Sequence, residues 1–251
     1  MYPGNRPLRR WLRWFLVYCA GVLAVMVVGL VIEAAVSPGP KQPTPPWAAT
    51  PAPRPTLTTG APGSAPALAG PIQLLPGREQ VNGVALGFPH STAGAVSAAA
   101  DTAGEVFSTL DPDRAAAVMR MTADLSYGDA PQQAAQGAAS DRQSLGIPAS
   151  GPVPPGYSLV VQPVEYQVRD VSAAQVTVLL LCDATTTQPG QGTQTRTAVF
   201  PLRMQWAQGD WKVAAVGTDS YASLAAEPFS AQAVALGWQE LLPQEAGADA
   251  S

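Results

Sequence analysis

From Trp14 to Ile32 the chain reads WFLVYCAGVLAVMVVGLVI, nineteen residues without a charge, and this run decides how the rest can fold. As a helix it would span roughly 28 Å at about 1.5 Å per residue, close to the thickness of a bilayer core. Arg6, Arg9, Arg10 and Arg13 lie on its amino side, and the next basic residue is Lys41. That asymmetry predicts a cytoplasmic segment 1–13, a transmembrane helix 14–36 and an extracytoplasmic remainder. Trp11, Trp14 and Tyr18 suit the cytoplasmic interface. The rival reading, a cleaved signal peptide, fits less well, because the apolar run is long and no A-x-A cleavage site is obvious after it. The lipid bilayer is therefore the first expected partner. Gly21, Ala24 and Gly29 leave homo-oligomerisation through this helix open without specifying it.

A linker follows. Residues 37–76 contain twelve prolines, which remove backbone donors and fix φ, so a disordered, extended tether or spacer is expected rather than a helix or central strand. Charge separates the two ends of the chain: residues 1–36 carry four basic side chains against one acidic, and residues 37–251 carry ten against seventeen. No cluster of Lys or Arg appears after Arg13, which argues against nucleic acid as a direct partner.

The expected folded domain runs over 77–242, with a disordered tail at 243–251. Its first half reads as helices. Ser91 or Thr92 caps a helix carrying Val96, Ala100, Ala103, Phe107 and Leu110 at spacings of three and four. Asp111 and Pro112 start a second, with Ala115, Val118, Met119, Thr122 and Leu125 on one face. Residues 131–145 suggest a third, with a thin apolar face and Gly137 inside it. After the proline-rich IPASGPVPPG the pattern alternates, predicting four strands that begin near Tyr157, Gln175, Thr195 and Asp210. Ala198, Phe200, Leu202, Met204 and Trp206 share one face of the third, and AQGD is a plausible hairpin turn. Pro163 and Pro201 belong at a bulge or an edge. Phe229 to Leu242, with Ser230 as cap, reads as a closing amphipathic helix that either packs on the domain or binds a partner. The expected class is α+β: helices packed on a bent antiparallel four-stranded sheet, cone-like, behind the membrane helix and linker.

The GFPHSTAGAV entry into the first helix, the helices-then-sheet order over about residues 80–220 and the single-pass layout resemble actinobacterial membrane proteins with a cystatin-like or nuclear transport factor 2-like extracytoplasmic domain. They are similar to the TcpC-type assembly subunits of conjugation machines. The resemblance implies a membrane-anchored scaffold or assembly subunit that contacts other membrane or envelope proteins.

Chemistry-bearing residues are few. His90 is the only histidine, which rules out a multi-histidine zinc site within one chain, and its place just ahead of the helix cap reads as a turn. Cys19 in the apolar run and Cys182 in a strand cannot form a structural disulfide, and Cys182 reads as a small buried hydrophobe. An acid–base site inside the cone would draw on Asp101, Tyr127, Tyr166 and Asp183, but their spacing does not require that they meet. No phosphate-binding loop, nucleophile elbow or zinc-protease motif occurs. No catalytic residue, metal ligand or cofactor is therefore expected. The alternative to a scaffold is an extracytoplasmic small-ligand binder or enzyme using the cone interior. The two differ in whether Phe107, Phe200, Met204 and Trp206 pack that interior shut.

Overall fold

The computed structural model describes residues 70–217 and 219–244. The expected cytoplasmic segment and membrane helix, nearly all of the linker and the tail from residue 245 lie outside the described residues. Among those described, no helix is long and apolar enough to cross a membrane.

Chain order gives β1 (Ile72–Gln73), β2 (Glu79–Val81), β3 (Val84–Leu86), α1 (Thr92–Phe107), α2 (Pro112–Thr122), α3 (Ala130–Ser144), β4 (Ser158–Arg169), β5 (Gln175–Gln188), β6 (Gly192–Ala207), β7 (Asp210–Ala214), a 3₁₀ turn (Ala222–Leu224), α4 (Ala231–Leu236) and β8 (Gln239–Leu242). The meander β4-β5-β6-β7 occupies the four predicted segments, but the expected cone on a four-stranded antiparallel sheet is not what forms. The sheet has six strands in the order β1-β8-β4-β5-β6-β7, and it is mixed because β1 runs parallel to β8. A separate two-stranded ribbon pairs β2 with β3.

Both additions come from segments expected to be something else. Ile72–Gln73 falls within the predicted linker, yet its backbone pairs with Leu241 and Leu242. The predicted closing helix is only six residues long, because Gly237 takes φ 90° and caps it. Left-handed backbone suits glycine and stops a helix, so the chain straightens into β8 against Glu165 and Tyr166 of β4.

The core lies between the sheet and α1. Helix α1 buries ten of its sixteen residues, half of them alanine, because small side chains let helix and sheet approach closely. Val176, Val178, Leu180 and Cys182 of β5 and Leu202 and Met204 of β6 face it. Leu179 and Leu181 point the other way, onto Ala226, Ala233 and Trp238, so β5 is covered on both faces. Local chemistry fixes the helix starts. The Ser91 hydroxyl accepts from the Gly94 N–H at 3.0 Å, and the Asp111 carboxylate accepts from the Asp113 N–H at 2.9 Å. Gly94 is required, since a Cβ there would stand 1.9 Å from the Pro89 carbonyl oxygen. Two helix expectations fail in detail: Leu110 lies beyond the end of α1, though it stays buried, and Leu125 lies beyond the end of α2 and is 81% exposed.

Pro163 sits at a register shift of β4 between Pro163 and Glu165. Pro201 pairs with Leu179 on one side, while β7 on the other side ends opposite Arg203. Each proline thus avoids a ladder position that needs its N–H. The AQGD turn is the β6–β7 hairpin, with Gln208 at φ 57° and Gly209 at φ 78°.

Candidate functional site: the Asp101 cleft

The sheet pairs incompletely on the side of β4 away from β5. Strand β8 reaches only Glu165 and Tyr166, leaving Ser158–Val164 without a strand neighbour there. Ser108 stands in for part of the missing strand: its hydroxyl accepts from the Val161 N–H at 2.8 Å and donates to the Val161 carbonyl at 3.2 Å. Just beyond, at the bulge where Val164 has no partner in β5, a cleft of about 840 Å³ opens between β4, α1, the segment after β1 and the end of β8. That volume falls in the ordinary range for a small-molecule site.

Asp101 lines this cleft from α1, a helix whose only other charged residue is Glu105. Its Oδ2 accepts from the Ala85 N–H of β3 at 3.3 Å. Burial pushes its carboxyl up to about 6, against a lowering by the Ala85 bond, and the nearby Glu105 charge adds to the rise. Glu105 is itself paired with Arg114, whose guanidinium also donates to the Asn82 carbonyl of the β2–β3 turn at 2.7 Å. Arg78, which also lines the cleft, donates instead to the carbonyls of Gly87 at 2.9 Å and Gly209 at 3.2 Å. Among the described residues, Asp101 forms no ion pair.

Phe229 joins the lining from the C-terminal side and is 60% exposed. It is held at φ 60°, a conformation that costs roughly 1–2 kcal/mol for a residue with a Cβ. Its N–H donates to the buried Glu165 carboxylate at 3.0 Å, which fixes the backbone and leaves the ring at the cleft.

The other sequence candidates scatter. None of Tyr127, Tyr166 and Asp183 lines the cleft. Tyr166 is buried in the core with its hydroxyl donating to the Gly70 carbonyl at 2.9 Å, and burial raises its phenol above the ordinary tyrosine range. Tyr127 lines a separate groove of about 240 Å³ between α1, α3 and the sheet; its hydroxyl donates to Gln133 at 2.7 Å, and burial, then the Asp129 charge, raises it. Asp183 faces Thr197 across β5 and β6, with their side-chain oxygens 3.5 Å apart. Cys182 is fully buried, and burial drives its thiol up to about 12, so the thiolate nucleophile is suppressed.

His90 lies in the bend before α1, as its position suggested. It does more than turn the chain. The ring stacks on Trp206 with centroids 4.0 Å apart, Nε2 donates to the Ala173 carbonyl at 2.6 Å, and the neighbouring Pro89 carbonyl accepts from the Trp211 indole at 2.9 Å. These contacts staple the start of α1 to the β6–β7 hairpin and to the β4–β5 connection. Phe107 stacks on Phe200 at 4.6 Å, and Met204 is fully buried, so these residues of the helix–sheet interface are packed together.

Reading the sequence missed Arg78, Phe229 and the β2–β3 ribbon that brings Ala85 to Asp101. One signal for the ribbon was present: Asn82-Gly83 between short apolar runs is the residue pair that a tight hairpin favours, and both take positive φ.

Together these elements define a module of helices and a mostly antiparallel, mixed six-stranded sheet, with helices on one face, a C-terminal wrap on the other, and a lateral cleft lined by the carboxylates of Asp101 and Glu79. The chain belongs to the family described as a domain of unknown function, DUF8175, whose model matches residues 39–233. No curated protein and no solved structure gives a match.

Proposed function

We propose that the protein is a non-enzymatic scaffold or assembly subunit of a conjugation-like or other envelope complex, with its folded domain on the extracytoplasmic side of the membrane. The location rests on the uncharged run Trp14–Ile32 and the arginines before it, which lie outside the described residues. The observation that carries the scaffold reading is the packed centre of the interface between α1 and the sheet, beside which only a groove of about 240 Å³ stays open among the described residues. Phe107 and Phe200 stack there and Met204 is enclosed, which favours contacts made through the outer surface over a ligand chamber in the interior.

The test is chemical cross-linking in intact cells, then extraction in mild detergent and identification of the proteins joined to the full chain. Reproducible capture of the same envelope proteins supports the reading. Recovery of the isolated chain alone counts against it. Protease added to intact and to lysed cells tests the location separately, and a domain cut only after lysis would place it inside.

A further inference from the structure

A carboxylate held partly out of water among apolar side chains is destabilised unless a positive charge sits beside it. Asp101 is in that state. Arg114 pairs with Glu105 instead, and Arg78 is committed to two backbone carbonyls. The apolar part of the cleft lining includes Leu74, Phe88, Ala100, Val164 and Leu241, with the 60% exposed Phe229 at the same cleft and the glutamines Gln80, Gln162 and Gln244 also lining it. Glu79, also lining it, adds negative charge. What complements such a site is a cation on an apolar stem: the charge repays the desolvated carboxylate, the stem covers the aliphatic wall, and an aromatic face adds attraction for the cation.

We propose that the Asp101 cleft is a binding site for a primary alkylamine in its ammonium form, with the ammonium group on the Asp101 carboxylate and the alkyl chain against the apolar wall. This goes beyond the scaffold reading and does not depend on it, since it concerns the lateral cleft and not the partners of the outer surface. A neutral alcohol of the same length gains the wall contacts and leaves the carboxylate uncompensated. An alkyl carboxylate meets like charge.

The experiment is isothermal titration of n-hexylamine into the full-length chain in lipid nanodiscs, with empty nanodiscs as the blank and n-hexanol as the neutral comparison. Saturable binding is expected at pH 7.5, with hexanol about tenfold or more weaker. Lowering the pH to 5 protonates about nine-tenths of a carboxyl that titrates near 6, while the amine stays charged, so affinity should fall about tenfold. Asp101→Asn keeps an acceptor for the Ala85 N–H and should also lose about tenfold. Val164→Trp, which fills the wall and spares the carboxylate, should abolish binding. Equal affinity for amine and alcohol, a pH-independent affinity, or no saturable heat up to about 10 mM amine overturns the proposal. If Asp101→Asn does not fold, the pH and alcohol comparisons on the unaltered chain still decide it.

Discussion

Replacing Asp101 by Asn should make the folded domain more stable at neutral pH, although it removes a hydrogen-bonding charge. Burial lifts the Asp101 carboxyl from an ordinary 3.8 to about 6 in the folded state. Between those two values the folded chain binds more protons than the unfolded one, so stability falls as pH rises through this window. The contribution favouring the fold is complete below about 3.8 and lost above about 6. A shift of that size corresponds to at most about 3 kcal/mol. Because the carboxylate is partly open to solvent, about 1–1.5 kcal/mol is the magnitude to expect after screening. Asn is nearly isosteric and its amide oxygen can still accept from Ala85, so the packing is preserved. Urea unfolding of both proteins at pH 7.5 and pH 3.5 checks this. The variant should gain about 1 kcal/mol at the higher pH and nothing at the lower. A variant destabilised at pH 7.5, or a difference that does not change with pH, would show that Asp101 is not held in a disfavoured charged state. A gain in stability coupled to loss of amine binding would be the usual signature of a residue kept for function.

Three further outcomes can be checked together. Gly94→Ala, whose Cβ would overlap the Pro89 carbonyl, should cost at least about 2 kcal/mol in urea unfolding, whereas Gly104→Ala on the same helix has open space and should stabilise by roughly 0.5–1 kcal/mol. Arg142 is fully buried and donates to the carbonyls of Leu110, Pro148, Ser150 and Pro152, so Arg142→Ala should cost about 3 kcal/mol or more and speed proteolysis within 147–153. Lys in its place should not restore protection, because one ammonium cannot reproduce the spread of a guanidinium's donors. Cys182 should resist iodoacetamide at pH 8 in the native chain and react once urea opens the sheet, as read by peptide mapping.

Elements with strong local signals were readable in the amino acids. The Ser91 and Asp111 caps, the Pro112 start and the alternating run of β6 each carry their own physics within a few residues, and the structure places helices and strands there. The thin apolar face of α3 was also legible, and only Ala130, Ala138 and Arg142 of that helix are buried. Two-residue and four-residue strands were not. Ile72–Gln73 looks like linker, and Gln239–Leu242 looks like the last turn of a helix, because neither is long enough to show a period. Ile72–Gln73 becomes a strand only when β8 offers open backbone groups, and Gln239–Leu242 only when β1 and β4 do.

The candidate site divides in the same way. A lone aspartate in an alanine-rich helix is visible on the page, but nothing in the sequence says which of Asp101, Tyr127, Tyr166 and Asp183 would share a surface. Desolvation and ion pairing act through space, between residues far apart in the chain: Ala85 meets Asp101, and Val164 and Phe229 come to line the same cleft, only in the folded domain. The amino-acid order by itself determined the apolar amino-terminal run, the proline-rich stretch, the helix starts and the central meander, because those depend on neighbours within a turn or a strand. Tertiary structure alone decided the two outer strands that make the sheet mixed and the gap beside β4 that opens the cleft. It also left Asp101 without an ion-pair partner among the described residues, where Arg114 and Arg78 are bound elsewhere.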